Sequence, residues 1–155
     1  MNLLDWIQPW ADTDRTAFHF ERRAVSYAEF AERVHAAAQG LVALGVEPGD
    51  RVGFCGLNRL EMFELLFACS HVGAILVPFN NRLTAAELGA QIADCTPSVL
   101  FATDGFHDLL AQAESQVLVR DLDSEPFVSI GQPVAAPVNC GPETTVLMVY
   151  TSGTT

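Results

Sequence analysis

The chain has 155 residues and a formal net charge of −11, and half of its residues are hydrophobic. This composition excludes a disordered or collagen-like chain, because such chains lack the apolar side chains needed to form a core. Eight arginines and no lysine stand against 19 acidic residues. We therefore expect no nucleic-acid partner, since phosphate backbones bind surfaces with an excess of positive charge.

The start of the chain and its cysteines are typical of a cytoplasmic protein. No cationic residue precedes Arg15, whereas a secretory signal begins with positive charge followed by an apolar run. The most apolar stretch, 62–79, is interrupted by Glu64 and His71, so we expect no transmembrane segment. The cysteines have no C-x-x-C spacing and are expected to be reduced core thiols. They are Cys55, Cys69, Cys95 and Cys140.

The first predicted elements are a hairpin and a long helix. Residues 17–20 and 24–26 flank a charged turn, which predicts two short paired strands. Apolar residues then recur at steps of four and three over 27–44, and this spacing predicts a helix with one apolar face. Ser26 and Glu29 have the S-x-x-E spacing of a capping box, and Gly45 is placed for a left-handed C-terminal cap.

Three further helices are predicted downstream. Asn58 and Glu61 have capping-box spacing before a helix that ends near Val72. Thr84 and Glu87 have the same spacing before a helix that ends near residue 93. A weaker pattern predicts a helix over 106–113.

The segments between the helices predict strands, at 51–56, 74–78, 98–102 and 116–119. They are rich in apolar residues and do not alternate strictly with polar ones, which is typical of parallel strands covered by helices on both faces. The chain is therefore expected to be an α/β protein with a layered, mostly parallel sheet and crossover helices. Four prolines interrupt 121–143, so this stretch is expected to be a surface connection. A further apolar strand is predicted over 145–150.

The final strand leads into a run of hydroxyl side chains around one glycine. The run consists of Thr151, Ser152, Gly153, Thr154 and Thr155. Backbone amides in a glycine turn, with hydroxyls beside them, bind phosphate oxygens well, although the same residues also form ordinary turns. A Walker loop is excluded because it requires a lysine, and the chain has none.

Several segments in order resemble the N-terminal region of AMP-forming adenylating enzymes, the acyl-CoA synthetase and luciferase superfamily. They are SYAEF at 26–30, LGVEPGDRV at 44–52, GA at 73–74, VP at 77–78, NNRLT at 80–84 and YTSGTT at 150–155. The last resembles the opening of the family's phosphate-binding signature, which normally continues Gly-x-Pro-Lys-Gly. The resemblance covers nearly the whole chain, from about residue 14 to residue 155.

The resemblance implies an ATP-dependent ligase. A carboxylic acid attacks the α-phosphate of ATP to form an acyl-adenylate, and the thiol of coenzyme A then displaces AMP. Residues 151–155 would hold the ATP phosphates, with Mg²⁺ sharing the charge. The motif lysine, the metal-binding acid, the acyl pocket and the C-terminal domain lie beyond residue 155 in the family. The chain (1–155) is thus expected to be a partial N-terminal AMP-binding domain.

Other hypotheses remain open for the function. The chain is either part of an acyl-CoA ligase, a catalytically inactive truncated product, or a Rossmann-type nucleotide-binding module. A medium- or long-chain fatty acid is the first expectation for the substrate and an aryl acid the second. Completion of the sheet by later sequence would leave an exposed edge here, so self-association is also expected.

The remaining polar residues are expected to have no catalytic role. The histidines are scattered and lack partners at metal-ligand spacing, so we expect them to be structural or exposed. Glu61 and Glu64 lie one helical turn apart, and we expect both to be solvated rather than a catalytic pair.

Overall fold

The structure is a computed structural model that describes residues 2–103, 105–113, 115–127, 138, 141 and 143–151. The strands are β1 (Thr16–Phe20), β2 (Arg23–Ser26), β3 (Arg51–Cys55), β4 (Ile75–Pro78), β5 (Val99–Ala102) and β6 (Leu118–Asp121). The α-helices are α1 (Leu3–Ile7), α2 (Tyr27–Ala43), α3 (Leu60–Val72), α4 (Ala85–Cys95) and α5 (His107–Gln112). A 3-10 helix, Gln8–Trp10, follows α1.

Four of the strands form a parallel sheet in the order β4-β3-β5-β6, and β1 and β2 form a separate antiparallel hairpin. The expectation of a layered α/β fold with a parallel sheet and crossover helices is confirmed. The predicted strand at 116–119 begins two residues too early, since β6 starts at Leu118.

Helices cover both faces of this sheet. Side chains of α2 and α3, including Leu41 and Leu65, pack on Val52 and Phe101 to form the first core. Side chains of α4 and α5 pack on the opposite face to form the second core, together with Cys55, Val77, Leu100 and Ala102. Successive strand residues therefore enter different cores, which explains why the strands read as continuous apolar runs.

The helix ends test the predicted caps. Ser26 accepts a hydrogen bond from the Glu29 amide, and of the three capping boxes predicted from the sequence only that of Thr84 and Glu87 has both reciprocal hydrogen bonds. The Asn58 prediction is wrong, because the N-cap of α3 is Arg59 and no side chain caps it. Gly45 has φ of +79°, as expected for a left-handed residue after a helix.

Helix α1 was not predicted from the sequence. Asn2 and Asp5 form a capping box around its first turn. The Asn2 side chain also donates a hydrogen bond of 3.2 Å to the carbonyl of Ser70, and the Ser70 hydroxyl accepts one of 3.1 Å from the Leu3 amide. These contacts fix α1 to the end of α3.

Glu64 corrects the expectation that both α3 carboxylates are solvated. Its side chain is 3% exposed, and Arg33 donates a hydrogen bond of 2.5 Å to it. Burial raises the pKa of Glu64, whereas at Glu61 the opposing effect of burial is outweighed by Arg59 and Arg33, which lower the pKa. Arg59 also pairs with Asp123 after β6. Ion pairs thus link α2, α3 and the turn after β6 through Arg33, Arg59, Glu61, Glu64 and Asp123.

Two histidines meet where α2 packs on α3. The rings of His35 and His71 lie 6.0 Å apart between centroids, and His71 is buried. Burial, with a smaller contribution from the charge of His71, lowers the pKa of His35. The expectation of a structural role for His71 agrees with this position in the helix interface.

Three of the four cysteines lie among the described residues. Cys55, Cys69 and Cys95 are free and buried, and burial raises the pKa of each thiol. Cys140 lies outside the described residues. Within the described ranges, no helix is long and apolar enough to span a membrane.

Candidate functional site

The prediction of a strand at 145–150 is only partly correct: this stretch, which we call the edge segment, lies along the free edge of β4 but makes a single bridge there instead of a strand. Leu147 pairs with Leu76 in parallel register. The Leu76 amide donates a hydrogen bond of 3.0 Å to the carbonyl of Val146, and the Met148 amide donates one of 2.9 Å to the carbonyl of Leu76. The sheet is thus extended by one parallel segment, and the chain leaves it at the carboxyl ends of the strands.

Thr151 is the first residue after the edge segment, and it is exposed. Ligands of open α/β sheets bind outside the carboxyl ends of the strands, which is where Thr151 lies. Ser152, Gly153, Thr154 and Thr155 lie outside the described residues. Their proposed contacts with phosphate therefore stay a prediction.

The loop after β4 lies at the same edge of the sheet. The Asn81 side chain donates a hydrogen bond of 3.3 Å to the carbonyl of Gly56, which directly follows β3. The Asn80 side chain accepts a hydrogen bond of 3.0 Å from the Arg82 amide. The loops that leave two adjacent strands are therefore tied together, and the edge segment runs beside them.

Tyr150 connects the end of the edge segment to α4. Its phenol donates a hydrogen bond of 2.5 Å to Oδ2 of Asp94, and its ring packs against the second core. Loss of hydration and the neighbouring Asp94 carboxylate raise the pKa of Tyr150. Sequence reasoning missed this pair because its members are 56 residues apart, and no local spacing signals such a contact.

A cation site was tested against the side chains that the structure describes. Among those residues, no group of three His, Cys, Asp or Glu side chains is arranged to hold a metal ion. We therefore assign no described residue to Mg²⁺.

Comparison with known protein families gives a match over almost the whole chain. The family model described as AMP-binding enzyme matches residues 8–155. Among curated proteins, the chain is 36% identical over 171 aligned positions to indoleacetate–CoA ligase of Aromatoleum aromaticum, covering 100% of this chain and 33% of that enzyme. It is 39% identical over 140 positions to feruloyl-CoA synthase of an Amycolatopsis species, covering 90% of this chain and 28% of that enzyme.

Solved structures give the same fold. The ATP-bound MatB of Rhodopseudomonas palustris is 30% identical with a TM-score of 0.73, covering 86% of this chain and 28% of that chain. The Mycobacterium tuberculosis fatty acyl CoA synthetase is 25% identical with a TM-score of 0.72, covering 84% of this chain and 28% of that chain. The chain thus spans about a third or less of the length of the relatives it matches.

Proposed function

This chain belongs to the AMP-binding enzyme family, and on that basis we propose that it is the N-terminal portion of an ATP-dependent acyl-CoA ligase. The ligase joins a carboxylic acid to AMP with release of pyrophosphate, and then transfers the acyl group to the thiol of coenzyme A with release of AMP. The observation that carries the proposal is the position of Thr151 at the carboxyl edge of a parallel sheet, where the hydroxyl run begins.

In this proposal the hydroxyl run binds the phosphates of ATP. Thr151, Ser152, Thr154 and Thr155 supply hydroxyl donors, and Gly153 allows the backbone amides to approach the phosphate oxygens. Donors held in place before the reaction stabilise the negative charge that develops during the transfer. Mg²⁺ supplies further charge neutralisation when it is bound.

Two substrate classes are proposed for the acid. The sequence landmarks favour a medium- or long-chain fatty acid, and one relative at 32% identity is a fatty acid–acyl-carrier-protein ligase of Streptomyces coeruleorubidus. An aryl acid is the second candidate. It is supported by the relatives at 36% and 39% identity, whose names specify indoleacetate and a feruloyl group.

The test is the exchange of labelled pyrophosphate into ATP that depends on added carboxylic acid, measured with a longer protein that contains this chain. We expect exchange with one of the two acid classes, and a loss of about 100-fold on Ser152→Ala, since removal of one such donor has an effect of this size. Thr145→Ala, an exposed hydroxyl on the edge segment, is the matched control. Exchange that requires no acid, or that is unaffected by Ser152→Ala, contradicts the proposal.

The 155-residue chain alone is the second arm of this test. We expect it to give no exchange above a boiled sample, because it contains no lysine and covers only 28–33% of the relatives' lengths. Exchange by this chain alone would contradict the family's assignment of essential residues to later sequence. Exchange by neither form would favour the alternative of an inactive product.

We also propose a cytoplasmic location. The support is the chemical state of Cys55, Cys69 and Cys95, which are all free thiols in the interior. Buried unpaired thiols are typical of proteins from reducing compartments.

The outer side of the edge segment supports the proposal that the chain self-associates. Leu147 and Val149 are 42% and 56% exposed, and no strand in the described ranges pairs with that side. Apolar strand edges of this kind pair with further strands. We expect Leu147→Lys to shift the chain toward monomer in sedimentation velocity at micromolar concentrations, with Val42→Lys, a similarly exposed residue of helix α2, as the control. A wild-type chain that sediments as monomer throughout contradicts the proposal.

A further inference from the structure

The backbone holds the edge segment only at its middle. Among the described residues, the hydrogen bonds between this segment and β4 both involve Leu76, and the last of them uses the amide of Met148. Within the same ranges, no backbone hydrogen bond joins residues 149–151 to the sheet. The direction in which the chain leaves the sheet must therefore be set by side chains.

Tyr150 provides that side-chain contact. Its phenol donates to Oδ2 of Asp94 at 2.5 Å, and its oxygen is also 3.4 Å from the carbonyl oxygen of Gln91 one turn earlier in α4. The ring lies against the second core, while its neighbours Val149 and Thr151 are exposed. The alternation of a strand thus directs one side chain inward directly before the hydroxyl run begins.

The end of α4 is itself fixed to the sheet. The Arg51 guanidinium donates hydrogen bonds of 2.7 Å to the carbonyl of Cys95 and of 3.0 Å to that of Thr96. It donates a third, of 2.7 Å, to the Thr96 hydroxyl. Arg51 is the first residue of β3, so Asp94 belongs to a helix end that is bound to the central strand.

We propose that Tyr150, held by Asp94, is a positioning residue for Thr151, the first residue of the proposed phosphate-binding run. This inference rests on the proposed function and adds to it a residue outside the hydroxyl run. The contact fixes the last turn of α4 to the residue that precedes the run. Thr151 is then held in place before phosphate binds, so less conformational entropy is lost when its hydroxyl contacts the phosphate.

The first test uses the 155-residue chain and does not depend on activity. Backbone ¹⁵N relaxation should give Thr151 an order parameter near that of rigid backbone, about 0.85, in the wild type and below about 0.6 in Tyr150→Phe. Asp94→Leu should have the same effect. Tyr27→Phe removes the other tyrosine hydroxyl of the chain and is the matched control. An unchanged order parameter at Thr151 in Tyr150→Phe overturns the inference.

The Tyr27→Phe background also allows a spectroscopic test, because Tyr150 is then the only tyrosine. Ultraviolet titration of the phenol should show a lower pKa for Tyr150 when Asp94→Asn is added, since the neighbouring negative charge is removed. No change in the titration would show that the Asp94 carboxylate does not face this phenol in solution, and would overturn the inference.

The second test uses the longer ligase. Tyr150→Phe should raise the KM for ATP about tenfold and leave the KM for the acid unchanged. A purely structural role would instead lower the amount of active enzyme and leave both KM values unchanged, which would overturn the positioning role. If the wild-type ligase shows no ATP-dependent reaction, the proposed function fails, whereas the relaxation and titration results still decide the Tyr150 contact.

Discussion

Replacing Arg33 with methionine should lower the free energy of unfolding by about 3 kcal/mol at neutral pH. The reason is the buried Glu64 carboxylate, whose side chain is 3% exposed and whose hydrogen-bonding cation is Arg33. Without that cation a buried negative charge is left uncompensated. Urea unfolding followed by circular dichroism measures the difference.

The pH dependence of this deficit has a defined sign. Burial already raises the pKa of Glu64 above its ordinary value of 4.5, and loss of the cation raises it further. A raised pKa in the folded state means that stability is retained below the ordinary pKa and is lost as the pH rises through the folded-state value. The deficit of Arg33→Met should therefore be largest at neutral pH and shrink on acidification.

Two further variants test the cause. Arg22→Met, on the exposed hairpin turn, should change the stability by less than about 0.5 kcal/mol. The double variant Arg33→Met with Glu64→Leu should regain most of the lost stability, because no unpaired charge remains. A deficit that persists in the double variant, or that grows at low pH, would show that the charge is not the cause.

Valine at Gly53 should lower the free energy of unfolding by about 2–3 kcal/mol. Gly53 lies in the central strand β3, and a Cβ atom there would be 2.9 Å from Cε2 of Phe79 and 3.0 Å from Cγ of Leu100. Both neighbours are fully packed in the second core. The change therefore overfills the face of the sheet that also carries Tyr150.

Gly141→Val is the control for this prediction. Among the described residues other than the chain neighbours of Gly141, none has an atom within 4 Å of a Cβ atom placed there, so we expect a change of less than about 0.5 kcal/mol. Thermal unfolding of both variants gives the comparison. Equal stability of Gly53→Val and the wild type would mean that Phe79 and Leu100 move aside without cost.

The sequence predicted two of the three helix starts for which it offered a capping pattern. Helix α2 begins at Tyr27 as expected from Ser26, and the capping box of Thr84 and Glu87 is present in full. The prediction failed at Asn58, where Arg59 occupies the N-cap and its side chain pairs with Glu61 and Asp123. A capping pattern is a local preference, and here α3 begins without a side-chain cap while Arg59 pairs with Glu61 in the first turn and with the distant Asp123.

In the candidate site, too, contiguous residues were predicted from the sequence and the contact between distant residues was not. The hydroxyl run was predicted because its residues are contiguous, and Thr151 lies at the carboxyl edge of the sheet. Tyr150 was visible in the same motif, but its partner Asp94 was not, since the two are separated by 56 residues. Only the packing of the edge segment beside α4 brings them together.

The sequence by itself determined the α/β class, the order of helices and strands from β1 to β6, and the family resemblance, because periodicity, caps and ordered motifs depend on neighbouring residues. The tertiary structure decided the strand order β4-β3-β5-β6 and the burial of Glu64 against Arg33. It also decided that Gly53 is needed for packing, since a side chain there would meet Phe79 and Leu100, which lie in other parts of the chain. These features depend on contacts between distant parts of the chain, which no local pattern specifies.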